Sequence, residues 1–208
     1  MENAQNKSPP QHTPGSMNEK PASLSKLDFL FKDSKTKFWI AGGCFIGIVT
    51  GSKIKDIDVF APDPLAVISE FKARGYKETF ENAWVKNFHH VGMTVQAIKK
   101  FTYDTPQKTL DDFDFTIVSA AYDGHEFIAH ERFYLDVAQR RIVIVNLVKP
   151  LNTLKRALKY ASRGFVMCPV GMSRLSKAVN LIKADWENPD ENIFDFYPDG
   201  TPTVRGID

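Results

Sequence analysis

The stretch IAGGCFIGIVTGSKIKDIDVF, residues 40–60, decides how this chain is read. An apolar, β-rich segment, KFWIAG (37–42), stops at Gly42-Gly43, gives way to a short helical run, and is followed by a second strand that opens Asp56-Ile57-Asp58-Val59. Residues two apart on a strand point to the same face, so Asp56 and Asp58 are expected side by side. Two carboxylates on one face repel unless a cation lies between them, and magnesium prefers such hard oxygen ligands while keeping positions open for phosphate. Gly42 and Gly43, free of side chains at a strand-to-helix turn, would let backbone N–H groups approach a triphosphate. A lone Gly-Gly is usually a turn, and a lone Asp-x-Asp a solvated strand end. The ordered set of strand, Gly-Gly, helix and Asp-x-Asp carries the reading.

A third acid is expected from DDFDFTIVSAAYDG (111–124), read as a strand over 113–122 with Asp112 and Asp114 on one face. Asp114 opens the apolar run and is the better candidate, with Asp112 as the fallback. The competing reading is a charged strand entrance.

Outside this pair of stretches, strand and helix signals interleave. Residues 1–23, rich in proline, serine and other polar residues, read as a disordered leader. Pro64 opens a helix that ends at Gly75, and 76–80, 83–88 and 92–101 read as successive strands. TPQKTLDD gives a short helix, HEFIAH and RRIVIVN (140–146) give strands, and a helix lies around 131–138. From Pro150 the pattern turns helical as LNTLKRALKYASRGF, and another helix follows near 171–186. The expected fold is therefore α/β (α+β), a palm with a mixed sheet flanked by helices over 24–148. A helical extension over 149–186 and an acidic, irregular tail over 187–208 complete it. Phe38, Trp39, Phe113, Phe115 and Phe165 are expected in the core. Trp84, Phe88 and Tyr103, nearer loop ends, are candidates to stack on a base.

Composition narrows the function classes. The chain has 208 residues and two cysteines, Cys44 and Cys168, in no metal-ligand spacing, which argues against a disulfide framework or a cysteine zinc site. No apolar run is long enough to span a bilayer, and a cytoplasmic protein is expected. The net charge of +2 hides an asymmetry: residues from Asp185 onward carry seven acids and one base, leaving 26 bases against 18 acids before them. A basic body fits a polyanionic partner such as a nucleoside triphosphate or RNA, and the acidic tail offers a contact for a protein partner.

Three motifs, in order, resemble the nucleotidyltransferase superfamily, most closely the head domain of poly(A) polymerases and CCA-adding tRNA nucleotidyltransferases. GGCFIGIVTG (42–51) followed by DIDVF (56–60) resembles the family's GGxVRDxLLG and DhDh; TLDDFDFTIVSAAYD (109–123) resembles its TLEEDxxRRDFTINALAYD; and KPLNTLKRALKYASRGF (149–165) resembles its neck helix. The resemblance covers residues 38–165. It implies a transferase that moves a nucleoside monophosphate from a triphosphate to a hydroxyl, such as an RNA 3′ end, with Mg²⁺ or Mn²⁺. Asp56, Asp58 and Asp114 would be the catalytic metal ligands. Gly42, Gly43, Arg156, Lys159 and Arg163 would bind nucleotide, the three bases forming a stripe on one side of the neck helix. Departures are visible: Ile46-Gly47 stands where the family has Arg-Asp, Asp112-Phe113 where it has Arg-Arg, and Lys149 where it has Asp. These changes keep a second reading open, that of a non-catalytic module that binds nucleotide or nucleic acid.

Overall fold

The computed structural model describes residues 21–181 and the pairing of Asp195–Phe196 with Pro202–Thr203. The leader up to residue 20 and the rest of the acidic tail lie outside the described residues. Two expectations for the ends are corrected. Ala22–Leu27 forms a 3-10 helix where the leader was expected to continue to residue 23, and Ser23 donates a hydrogen bond to the Ile48 carbonyl. Within the tail, Asp195 and Phe196 pair with Thr203 and Pro202 in antiparallel register rather than running wholly irregular.

The helices start where proline says they can. Proline at the first helical position loses no useful N–H and presets φ, and it opens α3 (Pro64–Ala73), α4 (Pro106–Asp111), α6 (Pro150–Ala161) and α7 (Pro169–Asn180). Asp63 caps α3 by accepting from the N–H groups of Leu65 and Ala66 at 3.0 and 3.1 Å, which satisfies two otherwise orphaned donors. The remaining helices, α1 (Asp28–Phe31), α2 (Cys44–Thr50) and α5 (Phe133–Ala138), are short.

A seven-stranded sheet forms the centre. Its strands are β1 (Trp39–Ala41), β2 (Asp56–Phe60), β3 (Lys77–Glu81), β4 (Val85–His90), β5 (Met93–Ile98), β6 (Ala120–Tyr122) and β7 (Phe127–Ala129), in the order β3-β4-β5-β2-β1-β6-β7. Only β2 and β5 run parallel; the other neighbours are antiparallel. β8 (Arg141–Ile142) pairs separately, in parallel, with β9 (Val166–Met167).

Alternation along the strands separates the two faces. Ile57 and Val59 of β2, Val95 and Ala97 of β5, and Phe88 of β4 are buried in one core cluster with Val67, Ile68 and Phe71 of α3. Burying each large apolar side chain stabilises the fold by about 1.5–3 kcal/mol. The opposite face carries Asp56, Asp58 and Phe60 along β2. Phe60 is sealed in a second cluster with Trp39, Ala41, Leu110 and Ala121. Asp58 is thus set between Asp56 and a closed apolar floor.

The expected strand over 113–122 is not one strand. Asp114 is a bend, Phe115 makes a single bridge to Ile144, Thr116–Val118 is a 3-10 turn, and only Ala120–Tyr122 joins the sheet. RRIVIVN likewise yields only Arg141–Ile142 as strand, because its later backbone is bonded to this bend: Thr116 N–H donates to the Val143 carbonyl and Val145 N–H to that of Asp114.

Candidate active site

The strand-to-helix turn sits directly against the acids. Gly42 has φ +103°, a region that favours glycine, and a Cβ built there would lie 3.6 Å from Asp58 Oδ2. Gly43 begins α2 from an ordinary φ of −65°, but a Cβ on it would come within 3.0 Å of the Tyr160 hydroxyl. The backbone N–H of Gly42 donates to the Ala120 carbonyl at 3.1 Å, so it is already committed to the sheet and is not a free phosphate donor. Phe45 and Ile46 return N–H bonds to the Gly42 and Gly43 carbonyls, closing the first turn tightly.

Asp56 and Asp58 share a face of β2, as the period of two requires. The Asp58 carboxyl is pushed up to about 6, first by burial and then by the Asp56 charge, while Lys159 and Arg156 pull the other way. Both of these cations come from α6. Lys159 is lowered from its ordinary value mainly by burial and next by Arg163, with Asp58 and Asp56 opposing. An acidic strand face and a cationic helix therefore meet, each strained by its own like charges.

Asp114 is buried at 4% exposure, and its Oδ2 accepts from Arg156 Nη1 at 2.8 Å. It lies on a bend rather than on a strand beside β2. Asp112, the fallback acid, caps the end of α4 and accepts from the Tyr103 hydroxyl at 2.7 Å. Among the described residues, no three His, Cys, Asp or Glu side chains are gathered as a metal-holding group. What the structure brings together is the Asp56–Asp58 pair with Gly42, Lys159 and Arg156; Asp114 joins through Arg156. Asp114 and Asp58 both raise the Tyr160 hydroxyl, which burial raises most.

Arg163 lies beyond the end of α6, so the expected helical stripe stops at Lys159. Its guanidinium stands 5.7 Å over the Tyr160 ring and still acts on Lys159. Tyr160 lies within KPLNTLKRALKYASRGF but is not among the expected nucleotide-binding residues. Its place four residues after Arg156 and next to Lys159 in a helix that faces the acids was the signal that could have found it. Of the stacking candidates, Phe88 is fully buried, Tyr103 is bonded to Asp112, and Trp84 is exposed.

A family model described as Gabija anti-defense 2 family protein matches residues 17–140. The chain belongs to the Gabija anti-defense 2 family. The match takes in every strand of the central sheet and all three aspartates, and it ends before α6. No curated protein matches the chain. Among solved structures, a CCA-adding enzyme in complex with ATP is similar at TM-score 0.60 and 20% identity, covering 77% of this chain and 43% of that one. The Thermotoga maritima CCA-adding enzyme complexed with tRNA is similar at TM-score 0.58 and 19% identity, covering 79% and 43%. A tRNA-processing enzyme with CTP is similar at TM-score 0.56 and 19% identity, covering 74% and 46%. This member of the Gabija anti-defense 2 family thus has a nucleotidyltransferase-like fold, and it spans less than half the length of those structures.

Proposed function

We propose that the chain is a metal-dependent nucleotidyltransferase that moves a nucleoside monophosphate from a triphosphate to a hydroxyl, on an RNA 3′ end, and that this transfer underlies its family's action against Gabija defence. The observation that carries the reading is the Asp56–Asp58 pair on one face of β2, with Asp58 desolvated beside Gly42 and opposite the cations of α6. The pair fits a divalent cation chemically. Both donors are hard oxygens, and their mutual repulsion, added to the desolvation of Asp58, is relieved by positive charge. Asp56 and Asp58 would hold Mg²⁺ or Mn²⁺, with Asp114 as the third acid. When bound, the ion would supply Lewis acidity at the phosphate and lower the pKa of the attacking hydroxyl.

The protein's own part is positioning and charge. The acceptor hydroxyl gives up its proton to solvent as its oxygen bonds to the α-phosphorus and the bond to the pyrophosphate oxygen breaks. Lys159 and Arg156 offset the charge that pyrophosphate carries away. Gly42 leaves room for phosphate beside Asp58. Arg156 has a second duty, because its guanidinium neutralises Asp114. A triphosphate competes for that guanidinium and would release the third acid toward the pair.

The bond between Arg156 and Asp114 also supports a second reading, a module that binds nucleotide without transferring it, since it occupies the third carboxylate. Incubation with triphosphates labelled at the α-phosphate, Mg²⁺ or Mn²⁺ and bulk RNA separates the two. The transferase labels RNA, and the Asp56→Ala/Asp58→Ala variant loses at least about a hundredfold in rate. Nucleotide binding with no labelling by either protein establishes the binding module instead.

A further inference from the structure

The sheet face that carries Asp58 continues past the carboxylates. Register pairs Asp58 with Gln96 of β5 and Gln96 with Asn87 of β4, so the acid and two amides form a row on one face. Asn87 Oδ1 is buried with no hydrogen-bond partner, an acceptor left unsatisfied in that row. Where β5 ends, aromatic and basic side chains alternate. Trp84 is 52% exposed, and Lys100 Nζ stands 3.5 Å from its ring centroid. Lys149 Nζ lies 4.9 Å from the Phe101 ring and immediately precedes α6, whose later turns supply Arg156 and Lys159 to the acids. The rim therefore joins the β3–β4 hairpin to the start of the helix that walls the site.

An exposed indole and a partly exposed phenyl ring, each with a lysine beside it, next to a polar row leading to paired carboxylates, match the needs of an unpaired nucleic-acid end. Bases stack on aromatic faces, lysines meet the backbone, and amides bond to base edges. We propose that Trp84, Lys100, Phe101 and Lys149, with Gln96 and Asn87, form the seat that holds a single-stranded nucleic-acid acceptor and directs its terminal hydroxyl toward Asp58. The seat's role as acceptor site rests on the nucleotidyl-transfer reading; its capacity to bind a strand does not.

The test is binding of a fluorescein-labelled single-stranded RNA to the full chain by anisotropy, beside transfer to the same RNA. Trp84→Ala weakens binding about tenfold, and Lys100→Ala and Lys149→Ala each flatten the salt dependence by roughly one phosphate contact. Trp84→Phe, which keeps a stacking face, restores most of the affinity. Circular dichroism melts of the same variants separate a lost seat from a lost fold. Unchanged affinity in a folded Trp84→Ala, or no RNA binding by the wild type while a protein acceptor is labelled, overturns the seat. If binding depends on Trp84 but no variant transfers nucleotide, the seat stands and the transferase reading falls. If transfer depends on Asp58 while Trp84→Ala leaves the KM for RNA unchanged, the reverse holds.

Discussion

Arg156 and Asp114, 42 positions apart in the chain, meet at 2.8 Å and tie the last helix of the site to the bend that enters β6. The pair is lopsided: the Asp114 side chain is 6% exposed and that of Arg156 52%. Truncating the arginine leaves a buried carboxylate without its donor, whereas neutralising the aspartate strands nothing charged in the interior. Arg156→Ala should therefore cost about 1–2 kcal/mol in urea unfolding, discounted for the solvent that screens the guanidinium. Asp114→Asn should cost less. Equal losses would mean that the bond carries little and that packing dominates.

Asp58 sets a pH dependence of definite sign. Its carboxyl moves from 3.8 to about 6 on folding, so the native state holds this proton more tightly than the unfolded chain. The contribution is fully present below about pH 4 and is lost as pH rises through about 6. Asp58→Asn removes the cost of the buried charge and should stabilise the protein by about 1–2 kcal/mol above pH 6, with no gain below pH 4. Thermal melts across that window decide the matter; a gain that does not vary with pH would show that burial of Asp58 is not the cause.

Addition of Mn²⁺ should raise the melting temperature of the wild type near neutral pH, because an ion that binds only the folded state stabilises it. The rise should disappear in Asp56→Ala/Asp58→Ala. An equal rise in both proteins would place the ion elsewhere.

Gly43 and Tyr160 test how closely α6 is seated on the turn. A methyl at residue 43 meets the tyrosine hydroxyl at 3.0 Å although the backbone there is ordinary. Gly43→Ala should destabilise by about 1–2 kcal/mol through overpacking. Tyr160→Phe should recover most of that in the double variant, and a double-mutant cycle showing no coupling would refute the contact.

Trp39 donates its indole N–H to Thr109 Oγ1 at 2.9 Å, both side chains being fully buried. Thr109→Val keeps the shape and orphans the donor, at about 1–3 kcal/mol. Thr109→Ser should lose much less.

Much of this architecture could be read from the chain. Strands β1–β5 and the helices opened at Pro64 and Pro150 follow from apolar patterning and punctuation, whereas α7, expected near 171–186, starts at Pro169 and ends at Asn180; Asp56 and Asp58 share a face because a strand repeats every two residues. FDFTIVSAAY could not be resolved in this way. Phe115, Ile117 and Val118 are all buried, so burial on every side erased the alternation that distinguishes a strand. Ser119 then turns its hydroxyl back onto the Phe115 carbonyl at 2.9 Å, a local bond that favours a turn. The bond between Arg156 and Asp114 was equally hidden, since only the docking of α6 brings the two within reach.

That docking has a consequence for the order of assembly. Every strand of the seven-stranded sheet is complete by Ala129, whereas α6 begins at Pro150. During synthesis the N-terminal part can pair first, and at that stage β2 displays two repelling aspartates with neither Arg156 nor Lys159 of α6 to answer them. The nascent sheet is thus born electrostatically unfinished, and arrival of α6 is the event that settles its charge.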